Sequence, residues 1–420
     1  MKLSDSQSKS LTSIIDALNL SEDIQSLAVL TGPAGSGKST LVKYFAEEVG
    51  LQRRSIFFAA TTHMAATVLQ DTINDKTYTA HKLFGIRPKY DRYGNESLSS
   101  SGNVMVTPDA IVVIDEASMI SDKFLHAIAP IVKQNRLKVV FVGDYYQLPP
   151  VKDRCSIFDG SLPTFHLSEI HRQAKDNPII QKSQEYTAFI DNQGVEPVLE
   201  TMLNDKGEGI HVIDHQQFMQ KFTNEYINFK AGDTVTKPLC TYTNDSAINY
   251  NNVIRKASLI LEKDSIQPYY IGEEYISNTS TLDSYRKVIL ENNERVFILS
   301  YCDYVFEDIP GYSIKVRGNN DKTKVIFVPK QKKDVTSALK ELKKHAIKQR
   351  DWEKYYVVKN FMSDLRLPFA GTTHKAQGAT YESVFIDIQN IYNKCRDLDM
   401  RARLIYVALT RAKTNVYLTK

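Results

Sequence analysis

The chain has 420 residues, with 53 Lys and Arg against 49 Asp and Glu for a formal net charge of +4, and 42% of it is hydrophobic and 24% charged. That length holds two or three domains, and the balanced charge and ordinary apolar content exclude a histone-like polycation, a small disulfide scaffold and wholesale disorder. The four cysteines, Cys155, Cys240, Cys302 and Cys395, are each more than sixty residues from the next, so no paired metal or redox motif forms in sequence, and a reducing cytoplasm is the expected setting. His211 and His215 have i, i+4 spacing without an acidic or Cys partner and read as surface histidines, so no zinc is expected. No charged leader with an apolar core and no run of about 18 apolar residues occurs, so neither secretion nor a membrane span is expected.

In chain order, Leu11, Ile14, Ile15 and Leu18 recur at helical spacing and are followed by the apolar run Leu27-Ala28-Val29-Leu30, a helix leading into a buried strand. Further buried strands are predicted at 55–59, 110–114 and 139–142, separated by helix-length segments, which is the pattern of a parallel sheet covered on both faces. Residues 84–108 interrupt it with Gly, Ser, Pro and aromatics, and read as a protrusion or a loop. A second α/β set, 238–242, 383–387 and 415–418, predicts a second sheet, interrupted by about 110 residues that carry the strand-like stretches 295–299, 312–316 and 325–328. Residues 330–366 then hold eleven Lys or Arg against five Asp or Glu, which makes either a solvated helix face or a phosphate-contacting surface.

Gly32-Pro33-Ala34-Gly35-Ser36-Gly37-Lys38-Ser39 fits G-x-x-x-x-G-K-[ST] and stands between a predicted strand and the helical run that begins at Thr40. Glycines let backbone N–H groups curl around phosphates at a helix N-terminus, Lys38 supplies a cation to the β and γ phosphates, and Ser39 supplies a hydroxyl for Mg²⁺. ATP and Mg²⁺ are therefore the expected cofactors. The strand at 110–114 ends in Asp115-Glu116, where α/β sheets place ligands, with Asp115 suited to the metal shell and Glu116 to polarising a water. A base beside the metal carboxylate favours hydrolysis over transfer. The next strand leads into Gly143-Asp144-Tyr145-Tyr146-Gln147-Leu148-Pro149-Pro150, which puts the Gln147 amide near the γ-phosphate.

That run, together with Asp115-Glu116-Ala117-Ser118, Thr372-Thr373-His374-Lys375-Ala376-Gln377-Gly378-Ala379-Thr380 and Tyr406-Val407-Ala408-Leu409-Thr410-Arg411-Ala412, resembles the ordered motifs of superfamily 1B DNA helicases, most like the Dda and RecD-like subgroup. The resemblance spans Gln7 to Arg411 and implies an α/β fold of two RecA-like P-loop domains with ATP between them. Domain 1A would occupy 1–172 with a pin-like protrusion at about 84–108. Domain 2A would occupy 173–256 plus 370–420, with a β-rich, SH3-like insertion at 257–369.

By the same resemblance Gln7 reads the adenine, the P-loop through Thr40 and Gly378 border the nucleotide, and Arg172 and Arg411 stabilise transition-state charge. Thr61, His63, Thr79 and His81 from the first half, and Asn244, Thr373 and His374 from the second, would contact DNA, while Phe84, Tyr90 and Tyr93 would separate strands. The implied activity is ATP-driven movement 5′ to 3′ on single-stranded DNA with duplex unwinding. The implied partners are single-stranded and forked DNA and a single-stranded-DNA-binding or other replication protein, with the chain monomeric and away from membranes. A nucleotide-switched clamp or protein-displacing translocase, and a motor on RNA, are the other readings left by the residues.

Overall fold

A computed structural model describes residues 3–20, 26–51, 55–90, 96–151, 153–167, 176–227, 233, 235–260, 267–283, 287–318 and 321–420. Strands β1 (Ser26–Thr31), β2 (Ile56–Ala60), β3 (Thr77–Thr79), β4 (Ile86–Tyr90), β5 (Glu96–Ser100), β6 (Ile111–Asp115), β7 (Lys138–Gly143) and β8 (Thr164–His166) come from the first part of the chain. Six of them form a parallel sheet in the order β3-β2-β6-β7-β1-β8. Every residue of β6 is buried, as its unbroken apolar sequence requires of a strand covered on both faces. Ile14, Leu18, Leu41, Phe45 and Leu69 pack one face, and Phe124, Ile128, Ile131 and Val132 pack the other. Each such side chain contributes roughly 1.5–3 kcal/mol by leaving water. Because β6, β7 and β1 are adjacent and parallel, their carboxyl ends at Asp115, Gly143 and Thr31 open on one edge.

The protrusion is an antiparallel hairpin of β4 and β5. Phe84 lies before it and is fully buried, edge-on to Phe124 in the core of the first sheet. Its aromatic ring, expected at the hairpin's working end, is thus a core residue, because the chain turns outward only after Gly85. Tyr90 ends β4, and Tyr93 lies outside the described residues.

A second six-stranded sheet runs Ala370–Thr372, Leu239–Thr241, Tyr381–Ile386, Ala412–Thr419, Gly209–Ile213, Met202–Leu203. It is parallel apart from the last pair. The helix Leu398–Leu409 is buried along Ala402–Leu409 without a break. A helix apolar all round needs cover on every side, and this one has the second sheet behind it and the first half of the chain in front. His211 lies in the strand Gly209–Ile213, bonded to Asn415 and stacked on Tyr417, while His215 opens the next helix.

Between the strands at 239 and 370 the chain forms a five-stranded antiparallel sheet, Thr323–Pro329, Ile309–Gly318, Arg295–Phe306, Glu274–Ser277, Leu365–Arg366. The basic stretch is mostly one helix, Lys332–Gln349, which turns Val335, Ala338, Leu339 and Leu342 toward Phe327 and Val358 and leaves its lysines exposed.

Gly209 has φ of 144°, and a Cβ there would stand 2.2 Å from the Met202 carbonyl oxygen. Gly209→Ala is expected to lower stability by about 2 kcal/mol or more. Calorimetry of the full chain would read this as an earlier unfolding transition, and an unchanged transition would show that the edge strand yields freely.

Candidate active site

The loop after β1 is shaped by glycine. Gly35 and Gly37 have φ of 84° and 82°, a region open to glycine at little cost, which turns successive N–H groups toward one concavity. A Cβ at Gly32 would meet the Leu167 carbonyl oxygen at 2.6 Å and Ser36 Oγ at 2.8 Å. Lys38 Nζ donates to the carbonyls of Gly32 at 2.7 Å and Pro33 at 2.9 Å, which holds the ammonium over the loop. Ser36 Oγ is buried with no hydrogen-bond partner among the described residues, an arrangement that costs about 1–3 kcal/mol until a polar ligand arrives. Gln7 is buried beside the loop, accepting from Ser4 N at 3.0 Å and donating to the Ser36 carbonyl at 3.4 Å.

The loop opens on a cleft of about 720 Å³, within the range of small-molecule sites. Both halves line it: Gln7, Gly35, Gly37, Lys38, Ser39, Thr40, Asp115, Glu116 and Gln147 from the first, and Gly378, Thr380, Arg411 and Lys413 from the second.

Asp115 ends β6 and accepts a 2.8 Å hydrogen bond from the Glu116 N–H. Burial, and then the neighbouring Glu116 charge, push its carboxyl up to about 7 against the opposing pull of that hydrogen bond and of Lys38. A buried carboxylate of this kind is suited to a hard cation, and with the Ser39 hydroxyl it gives the oxygen donors that Mg²⁺ prefers. Glu116 is held in the left-handed region at φ 54°, ψ 43°, a strained conformation that delivers its carboxylate to the cleft. Opposite it is Gly378 at φ 77°, where a Cβ would lie 3.5 Å from Glu116 Oε1.

The loop after β7 joins the halves. Asp144 is fully buried and accepts from Tyr146 N at 3.0 Å and from the Tyr406 hydroxyl at 2.7 Å, and that hydroxyl in turn accepts from the P-loop amide of Ala34 at 3.2 Å. Gln147 Oε1 accepts from Gln377 Nε2 at 3.4 Å. Arg403 donates to the carbonyls of Tyr145 and Gln147 and lies over the Tyr145 ring. Arg411 is buried, with Nε on the Val407 carbonyl at 3.0 Å, Nη1 on the Ala379 carbonyl at 3.1 Å and Nη2 on Thr410 Oγ1 at 3.1 Å. Each terminal nitrogen carries a second N–H, and the side chain borders the cleft. Arg172 lies outside the described residues. Tyr406, Asp144, Gln377 and Arg403 received no role from sequence, although all but Arg403 fall inside the quoted motifs, where only a structure tells a bridging side chain from a packing one.

Residues expected to contact DNA divide. Asn244 lines a second cavity between the halves, whose wall also includes Met64 and Lys375. His63 is half-exposed, and His374 is half-buried with its imidazole pKa lowered by burial. Thr79 caps the helix Ala80–Leu83, and His81 is exposed with its ring on Phe124. Thr61 donates to the Glu116 carbonyl at 3.4 Å. Thr373 departs from expectation: it is fully buried and its hydroxyl donates to the Thr241 carbonyl at 3.3 Å, so it braces the sheet edge instead of reaching into the groove. Among the described residues no helix is long and apolar enough to cross a membrane.

The raised Asp115 carboxyl carries a stability signature. Its ordinary value is 3.8, so between that pH and about 7 the folded state holds more protons than the unfolded one, and stability falls as pH rises through this window. Asp115→Asn removes that loss. Without nucleotide or Mg²⁺ the variant is expected to unfold at a higher temperature than the parent near about pH 8, and the difference should shrink toward about pH 4; calorimetry across that range checks it, and a gain independent of pH would show that the carboxyl is not perturbed.

Residues 3–198 match the family described as an AAA domain, and residues 368–419 match the UvrD-like helicase C-terminal domain. The chain is 33% identical over 160 residues to the ATP-dependent RecD2 DNA helicase of Deinococcus radiodurans, covering 37% of this chain and 21% of that protein. It is 23% identical over 439 residues to the ATP-dependent DNA helicase dda of Enterobacteria phage T4, covering 92% and 93% of the two chains. In fold it is similar to the crystal structure of Pif1 helicase from Candida albicans, with a TM-score of 0.51 at 16% identity over 100% of this chain and 94% of the other. The P-loop, the paired carboxylates and the buried arginine thus occur in one cleft of a chain that is similar to DNA helicases of the Dda, RecD2 and Pif1 kind.

Proposed function

We propose that the protein is a monomeric, cytoplasmic ATP-dependent DNA helicase that moves 5′ to 3′ on single-stranded DNA and opens duplex at the β4–β5 hairpin. The observation that carries this reading is the shared cleft, in which the P-loop and Glu116 belong to one half and Gly378 and Arg411 to the other. A ligand that contacts both halves favours their closure by its differential affinity for the closed state, which is how binding energy becomes movement. The full-length alignment with a protein named as a DNA helicase supports DNA as the track.

The residues divide the work. Lys38 and the P-loop amides hold the β and γ phosphates, and Gln7 lies where an adenine edge would be read. Glu116 accepts a proton from the attacking water, and Gln147, steadied by Gln377, orients it. Arg411 meets the negative charge that grows on the phosphoryl group, and Arg172 is assigned the same task from the first half. Bound through Ser39 and Asp115, Mg²⁺ would neutralise phosphate charge. Thr61, His63, Thr79, His81, Asn244 and His374 are the proposed strand contacts, with single-stranded and forked DNA as partners and domain boundaries at 172, 256 and 369.

The test is unwinding of matched duplexes with a 5′ or a 3′ single-stranded tail. Opening of only the 5′-tailed duplex is expected; opening of only the 3′-tailed one would reverse the direction, and DNA-stimulated hydrolysis without opening would leave a translocase. Lys38→Ala should abolish hydrolysis. Glu116→Gln should keep nucleotide binding and stop turnover, and near-normal turnover in either variant would sink the assignment. Arg411→Ala should lower kcat by at least about a hundredfold with a smaller change in nucleotide affinity.

A further inference from the structure

The turn at 291–294 belongs to the inserted sheet, yet it touches both other parts of the molecule. On one side Glu291 Oε1 lies 3.3 Å from Nε2 of His63, at the start of the helix His63–Ile73 in the first half. On the other, Lys375 Nζ in the second half donates to Asn292 Oδ1 at 2.7 Å, Asn293 Oδ1 at 2.9 Å and the Asn278 carbonyl at 2.9 Å. The turn is locally fixed: Asn293 sits at φ 64°, its N–H donates to the Ser277 carbonyl at 2.8 Å, and Glu294 N donates to the Glu291 carbonyl at 3.2 Å. Beneath it Met64, Asn244, Asn293 and Lys375 line one cavity between the halves.

The chemistry of these contacts is one-sided. Every group the turn presents to His63 and Lys375 is an oxygen acceptor, one of them a full carboxylate. A nucleic-acid backbone offers the same two donors a row of anionic oxygens. Lys82 and Lys324 add positive field around Glu291, whose carboxyl is held below its ordinary value chiefly by the His63 contact. Lys375 is partly buried, and burial pushes its ammonium down to about 8 against the opposing charge of Asp364; its three hydrogen bonds all go to neutral oxygens, whereas an anionic oxygen would also pair its charge.

We propose that the 291–294 turn is an intramolecular stand-in for the strand backbone: it occupies His63 of the first half and Lys375 of the second when no strand is bound, and a strand enters by displacing it. This rests on the single-stranded DNA reading above and adds to it a device that closes the groove and a strand-phosphate role for Lys375. Release of the turn breaks its contact with the first half, while the inserted sheet stays packed on the second half through Val296 and Ile298 against Leu239 and Phe385.

The experiment measures the affinity of the full chain for a labelled oligothymidine by fluorescence anisotropy, in the parent, in Glu291→Gln and in Asn293→Gly. The first substitution removes the competing charge at nearly constant shape, and the second keeps the left-handed backbone while deleting one acceptor of Lys375. Both are expected to tighten binding, Glu291→Gln by about three- to tenfold, with the gain narrowing as salt is raised. A parent that fails to bind while Glu291→Gln binds would also uphold the device. Unchanged or weaker binding by both variants, with a parent that binds normally, would overturn the stand-in and leave the motor reading intact. Absence of binding by all three would overturn the strand reading and the stand-in with it.

Discussion

The Tyr406 hydroxyl is the contact on which the arrangement of the halves depends. It donates to Asp144 at 2.7 Å and accepts from the Ala34 amide at 3.2 Å, with all three groups buried. A hydrogen bond to a buried carboxylate is worth about 1.5–3 kcal/mol, and its loss would strand two more polar groups. Arg403 continues the seam along the same helix, meeting two carbonyls and an aromatic face. Leu148 packs into the core of the second half beside these links; the polar links add specificity of register, and water can take over each of their partners when the halves part. A machine that must close and open repeatedly needs that property.

Electrostatics in the cleft shows the same economy. The Ser36 hydroxyl lacks a partner among the described residues, Asp115 is charged only at a cost and Glu116 is held at positive φ. Each of these would be an error in a protein selected for stability alone, and their concentration in one cleft marks the place where the chain binds and does chemistry. The modest net charge of +4 means that no large field surrounds the molecule, so the cations of the cleft, Lys38, Arg411 and Lys413, act locally.

Much of this was legible from residues alone. Doubly covered strands must be continuously apolar, so β1, β2, β6 and β7 stand out as runs, and the P-loop and Asp115-Glu116 follow from their positions at strand ends. The short edge strand Thr77–Thr79 did not stand out, since an edge strand needs few apolar residues, and Gly209–Ile213 was hidden because His211 reads as a surface residue until Asn415 and Tyr417 are seen beside it. Burial of Phe84 and Thr373 was hidden for a related reason: a motif fixes spacing along the chain, whereas the direction of a side chain depends on where the next turn falls. The meeting of Glu291 with His63 joins residues more than two hundred positions apart and has no local signature at all.

The order of strands in the second sheet bears on how the protein is made. Strand Ala412–Thr419 lies between Tyr381–Ile386 and Gly209–Ile213, so the sheet stays in two pieces until the polypeptide has been synthesised past residue 412. The first sheet, assembled wholly from residues before 167, can collapse on the ribosome while the second waits. Arg411 immediately precedes that closing strand. A nascent chain therefore has its P-loop long before it has Arg411, and the cleft is completed only when the sheet that positions that residue is sealed.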